Sequence, residues 1–359
     1  MSVLDQQLMI YLKTTDTCQL NCEHCFTNGI NGKKGWFDPV ATSEFFHKLH
    51  KVNPYYSNGN ISFHGGEPML CPIDKMFEIW NNCKHLWPDL FWSVQTNLTY
   101  NLTDDRLKVF NEICNKSFGT SWDSNIRWET DKQQQLWKDN VKLLVDDGHE
   151  ITMMVCLSTD VIKNIEPITI LNMAIDLGIA HINFERITNN GNAALNPKII
   201  PLNIDLDKWF LKMWNQSVEH KTYKYINNIF FNSILTSFVY GTHSGCRCRQ
   251  CEQKIFTINA NGSIGGCPNG AVDRTFGTIW DDIIDLMTSE GRMCNISEEA
   301  QRPAVCYTCP VYSNCHGDCH QLEIQDNICP APKSLMIKLQ KENDIELYKK
   351  FLNGFIGKE

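Results

Sequence analysis

Cys18, Cys22 and Cys25 place three thiols at the spacing CxxxCxxC near the start of the chain. Thiolates hold zinc and iron–sulfur clusters. Four of them close a site, whereas three leave one metal corner open to a substrate or cofactor. The triplet alone also fits an incomplete zinc site or three core thiols. Further along, the β-like run Ile61–Phe63 leads into His64, Gly65, Gly66, Glu67 and Pro68. Two adjacent glycines allow close backbone approach and unusual dihedrals. They leave bare peptide groups and a carboxylate at the end of a strand, although a plain strand-to-helix turn uses the same residues.

A second zone is denser. Ten of the chain's 17 cysteines lie between Cys246 and Cys329. Such a stretch, broken by Gly and Pro, cannot rely on an apolar core and needs metal to hold it. From Cys251 there are ten residues to Gly262 and four more to Cys267. Cys306 and Cys309 then form a CxxC pair, followed by Cys315, Cys319 and Cys329. A zinc ribbon or treble clef also uses CxxC pairs. Cys71, Cys83, Cys114 and Cys156 are scattered between the zones and read as ordinary buried thiols.

Together the triplet and the Gly-Gly-Glu-Pro turn resemble the radical S-adenosylmethionine enzymes, and the second zone is similar to the SPASM domain that follows their barrel. The resemblance implies three four-iron clusters and S-adenosylmethionine as cofactors. The first cluster would sit on Cys18, Cys22 and Cys25, with the methionine moiety on the open iron. The first auxiliary cluster would take Cys251, Cys267, Cys319 and an upstream cysteine, either Cys246 or Cys248, with Cys246 favoured by the wider spacing. The second would take Cys306, Cys309, Cys315 and Cys329. Cofactor contacts would fall to His24, where the family usually has a larger aromatic against adenine, and to Gly65, Gly66, Glu67, Pro68, Asn97, Ser121 and Ile187. Closed auxiliary clusters suit one-electron transfer.

These residues need a frame. Strands are expected at Leu8–Lys13, Ile61–His64, Phe91–Thr96, Ser117–Ser121, Ile151–Ser158 and His181–Ile187, with helices such as Thr42–Val52 and Gln133–Leu144 between them. In the second helix Leu136, Val141 and Leu144 fall on the inner face. Alternating βα units demand a parallel sheet. Six are too few to close an eight-stranded barrel, so the fold class is α/β, a partial (β/α)6 TIM-like barrel followed by a cysteine-rich SPASM domain. Chemistry belongs at the strands' C-terminal ends. Gln95, Thr96, Asn97, Ser121, Asp123, Glu185, Arg186 and Ile187 all lie on that rim, and Arg127 is expected as an exposed loop arginine or a partner of the cofactor carboxylate. After a helix at Leu206–Val218 and a looser stretch over 223–240, composition changes. Residues 1–240 are the barrel, 241–333 the SPASM domain and 334–359 a closing amphipathic helix.

A chain of 359 residues with formal charge −8 and no basic block excludes the electrostatic footprint of a nucleic-acid binder. No segment reaches membrane-spanning length and no export signal is present, so a cytoplasmic protein is expected. In an unexported chain so many cysteines favour metal over disulfides. The resemblance implies a 5′-deoxyadenosyl radical that abstracts hydrogen from a peptide or protein, with a flavodoxin- or ferredoxin-type reductant as partner. A dehydrogenase or epimerase of a small molecule such as a sugar is the alternative, and a zinc-stabilised binding module a distant one. The anaerobic sulfatase-maturing enzymes resemble the chain in length and layout. There an aspartate directly after the equivalent of Cys267 is thought to take the proton, but here Pro268 and Asn269 follow, so no base is assigned. There is also no room before the first strand for a leader-binding module of the kind several ribosomal-peptide enzymes carry.

Overall fold

The computed structural model describes residues 7–270 and 274–354. All six expected strands form: β1 Gln7–Thr15, β2 Asn58–Gly65, β3 Phe91–Thr96, β4 Ser117–Trp122, β5 Glu150–Leu157 and β6 His181–Arg186. A short β7, Asn227–Asn228, closes one side of the sheet. The strands β8 Ile255–Ile258, β9 Ser263–Gly265 and β10 Thr275–Thr278 extend the other. The order is β10-β9-β8-β1-β2-β3-β4-β5-β6-β7, parallel from β8 through β7, with β9 and β10 antiparallel. Hydrogen bonding therefore continues from β1 into β8, beyond the second cysteine zone's first ligands.

Alternation decides which side chains face the cavity. On β5, Ile151, Met153, Val155 and Leu157 are fully buried in the core, while Thr152, Met154 and Cys156 line the interior of the half-barrel. On β1, Leu8, Ile10 and Leu12 join Phe45, Phe46 and Leu49 of the helix Pro39–Val52, leaving Tyr11 to face inward. That helix starts where it does because Asp38 accepts from the N–H groups of Val40 and Ala41, with Pro39 in its first turn.

Several expectations are corrected. The helix expected at Gln133–Leu144 runs from Asp131 to Asp146, and its inner face is carried by Trp137 with Val141 and Leu144, while Leu136 is only half-buried. The stretch 223–240 is not loose. Asn228 caps a helix, Ile229–Tyr240, that Gly241 ends at φ 66°, and its Phe230 stacks on Phe210 at 4.4 Å. Its buried face is Phe230, Phe231, Ile234 and Leu235, while Asn232, Ser233 and Thr236 are only half-buried. The closing segment is two helices, Lys333–Glu342 and Ile345–Asn353, because Asn343 adopts φ 48° and Asp344 caps the second. Leu335, Leu339 and Phe351 pack back on the body as expected, Phe351 lying 4.7 Å from Trp214. Among the described residues no helix is long and apolar enough to cross a membrane.

Candidate active site

The loop after β1 is shaped by backbone contacts around its cysteines. Cys18 N donates to Gly29 O at 2.8 Å, Cys25 N to Cys22 O at 3.1 Å and Glu67 N to Thr17 O at 2.9 Å. The sulfur atoms themselves receive donors: Leu20 N at 3.4 Å and Asn97 Nδ2 at 3.6 Å on Cys18 Sγ, and Gly29 N at 3.5 Å on Cys25 Sγ. Donors on sulfur tune thiolate-ligated clusters. Gly65 sits at φ 132°, and a Cβ on Gly66 would lie 2.2 Å from Thr17 O. The two glycines thus let the β2 turn lie against the backbone of the cysteine loop, a reason that holds before any ligand enters.

Glu67 is 1% exposed and saturated by the chain. Its Oε1 accepts from Met69 N at 3.0 Å and Thr96 Oγ1 at 2.7 Å, and its Oε2 from Asn97 N at 2.8 Å. Burial raises its pKa to about 7 against the pull of those donors. The carboxylate ties the β2 turn to the β3 turn. Pro68 opens the following 3₁₀ turn and its carbonyl accepts from Thr14 Oγ1, so unlike the rest of the expected cofactor-contact set it does not line the cavity.

The remaining members, His24, Gly65, Gly66, Glu67, Asn97, Ser121 and Ile187, share one cavity of about 470 Å³ with Cys18, Cys22 and Cys25. Arg127 is not an exposed loop residue. Its side chain is buried, its Nε donates to Asp123 and it borders the cavity. Cys156 is likewise not an ordinary core thiol, since it faces this cavity with Met154 and Thr152. The signal that could have found it was period two, which puts it out of phase with Val155 and Leu157. His24, Asp123 and Cys156 bring ligand atoms within 4.8 Å of one another. Arg127 already supplies the positive charge opposite Asp123, which argues against a cation there. Burial lowers the pKa of His24 to about 4, with Arg127 adding to the effect and Asp123 opposing it, so the ring is neutral at pH 7. Its Nδ1 is buried without a partner in the chain.

Part of the wall belongs to the second cysteine zone, because Pro268 and Asn269, directly after Cys267, border the same cavity as Glu185 and Tyr11. Burial raises the pKa of Glu185, opposed by Arg186. Arg186 reaches out of the barrel to Asp318, with Nη2 2.8 Å from Oδ1, and to Pro330 O at 3.0 Å. Arg247 also pairs with Asp318, at 3.1 Å. Flanked by two guanidinium groups, Asp318 is held far below the usual carboxylate range despite complete burial. Both upstream candidates for the first auxiliary set are present there. The Cys246 thiol contacts Cys319 and donates to Asp318 Oδ1 at 3.1 Å, whereas Cys248 contacts Cys251 and accepts from Lys254 Nζ at 3.8 Å. Cys306, Cys309, Cys315 and Cys329 line a separate cavity of about 320 Å³. Four thiols around one space match the donor chemistry of a closed cluster.

No protein-family model and no curated protein matches this chain. Among solved structures, native anSMEcpe with bound AdoMet is 17% identical with a TM-score of 0.76, covering 96% of this chain and 99% of that one. The chain shares its fold. anSMEcpe with AdoMet and the Cp18Cys peptide superposes with a TM-score of 0.75 at 17% identity, over 96% of this chain and 99% of that one. Streptococcus suis SuiB bound to its precursor peptide SuiA superposes with a TM-score of 0.61 at 13% identity, over 90% of this chain and 76% of that one. The chain thus has the architecture of anSMEcpe and, more loosely, of SuiB.

Proposed function

We propose that this chain is a radical S-adenosylmethionine enzyme that removes hydrogen from a peptide or protein. Residues 1–240 would hold the cofactor and 241–333 two auxiliary clusters, with 334–359 closing the body. The observation that carries this reading is the single cavity bordered both by Cys18, Cys22 and Cys25 and by Pro268 and Asn269. A group held there meets an open three-thiol centre and the loop of a second thiol centre at once. The peptide neighbours named above support the substrate class.

The residues present fit the groups implied. Cys18, Cys22 and Cys25 would hold the first cluster. Cys246, Cys251, Cys267 and Cys319 would hold the second, and Cys306, Cys309, Cys315 and Cys329 the third. When bound, the first cluster with S-adenosylmethionine supplies a hydrogen-abstracting 5′-deoxyadenosyl radical, with electrons from a flavodoxin- or ferredoxin-type protein. The chain's own part is positioning and exclusion. Gly65, Gly66 and Asn97 line the cavity beside Cys18 and would meet the ligand there, and His24 would offer it a neutral ring. Ile187, 7% exposed, and Leu20, 2% exposed, wall the cavity with apolar surface.

The test is anaerobic incubation of the iron-loaded enzyme with S-adenosylmethionine and dithionite, with and without a peptide library. Peptide-stimulated 5′-deoxyadenosine, together with a change in peptide mass, is the expected result. Stimulation by carbohydrates and not by peptides would favour the small-molecule dehydrogenase or epimerase instead.

A further inference from the structure

The segment after β6 bridges the two thiol centres. Asn192 binds the cysteine loop twice: its N donates to Cys25 O at 2.9 Å and its Nδ2 to Cys22 O at 3.0 Å. Two residues earlier, Asn190 turns the other way. Its Nδ2 donates to Asn269 O and, at 3.3 Å, to Gly270 O in the loop that follows Cys267. Gly191 between them adopts φ 53°, and a Cβ there would lie 2.5 Å from both Cys25 O and Phe26 Cα. Only glycine permits that left-handed step at so close an approach. The strap is anchored on the barrel side by Arg186, paired with Asp318.

These donors all meet backbone carbonyls, so they fix main-chain position and not side-chain chemistry. We propose that Asn190 and Asn192 are positioning residues, two links in series that hold the Cys22 and Cys25 loop against the Cys267 loop and set the separation of the two centres across the cavity. Removing either side chain loosens the same connection, with the main-chain bond from Asn192 N to Cys25 O kept in Asn192→Ala. The argument rests on the function proposed above only in taking both centres to hold clusters, because the strap itself is a property of the polypeptide.

Two measurements test it, on Asn190→Ala, Asn192→Ala and the double variant, each checked for wild-type circular dichroism. The first is amide hydrogen exchange on the full cluster-free chain. Two links in series predict a crossed effect: Asn190→Ala speeds exchange at residues 22–26, and Asn192→Ala speeds it at 267–270. The second is spin-relaxation coupling between reduced clusters in the iron-loaded protein. It should fall by about twofold or more in each single variant and no further in the double, the non-additivity expected of one shared connection. Exchange that changes only in the loop losing its own bond, with additive effects in the double, overturns the strap. Should Asn190→Ala fail to fold, Asn192→Ala and Gly191→Ala carry the same crossed prediction. Zinc in place of iron in the wild type would defeat the proposed function while leaving the exchange test to decide the strap by itself.

Discussion

Glu67 is a carboxylate that the sequence offers to a ligand and the structure gives to the chain. Its raised pKa has a measurable consequence. The folded state keeps the proton up to about pH 7 while the unfolded chain releases it near 4.5, so stability of the cluster-free protein should fall as pH rises through that window and level off above it. Thermal unfolding between pH 5 and 8 reads this slope, and Glu67→Gln should flatten it. The variant should also lose about 1–3 kcal/mol, because an amide nitrogen then faces one of the three donors. A variant retaining the full slope would assign the titration to another group. The second residue-scale prediction concerns the two upstream cysteines. Cys246, in contact with Cys319 and hydrogen-bonded to Asp318, is expected as the fourth ligand of the first auxiliary set. Cys246→Ala should then cost about four irons per chain and Cys248→Ala none. Iron analysis of the two variants giving the reverse pattern would exchange the assignment.

At the level of elements, the clasp between β6 and the second cysteine zone is the contact most exposed to test. Asp318→Asn leaves Arg186 and Arg247 buried without their counter-charge and should destabilise the chain by about 3–5 kcal/mol in denaturant unfolding. The sign with pH follows from the depressed pKa of Asp318: its contribution is complete at neutral pH and is lost only as pH falls below the ordinary carboxylate range. A variant within 1 kcal/mol of wild type, roughly the worth of an exposed pair, would make the clasp incidental. The clasp also marks where the sequence stops being legible. The six strands and both glycine- and cysteine-bearing turns were readable, because period-two alternation and turn residues are local signals. Arg186 was visible as a rim residue, but its partner lies 132 positions away, and no local pattern links them. Cys156 and Arg127 were misread for a related cause, since which face of a strand or loop meets a cavity depends on the closure of the whole half-barrel. The helix Ile229–Tyr240 was missed because its Asn, Ser and Thr residues interrupt a Phe- and Ile-rich run, and the groups they bond, such as Arg247 and Asn314, lie farther along the chain.

Across the whole molecule, one sheet, parallel from β8 through β7, carries a three-cysteine loop after β1, while β8 of the second cysteine zone hydrogen-bonds onto β1 with β9 and β10 beyond it. The arrangement lines the cavity with the three-thiol loop and with the loop that directly follows Cys267, and leaves the third thiol set in its own space toward the closing helices. If the two loops serve one reaction, their iron must be present together and the first centre must act on S-adenosylmethionine. The most direct measurement is iron, zinc and 5′-deoxyadenosine on chain purified without oxygen and reduced with dithionite in the presence of S-adenosylmethionine. The account predicts about twelve irons per chain, no zinc and 5′-deoxyadenosine, with about eight irons and no 5′-deoxyadenosine once Cys18, Cys22 and Cys25 are all replaced by Ala. Zinc in the thiol sites, or an iron-loaded chain that leaves S-adenosylmethionine intact, would contradict it.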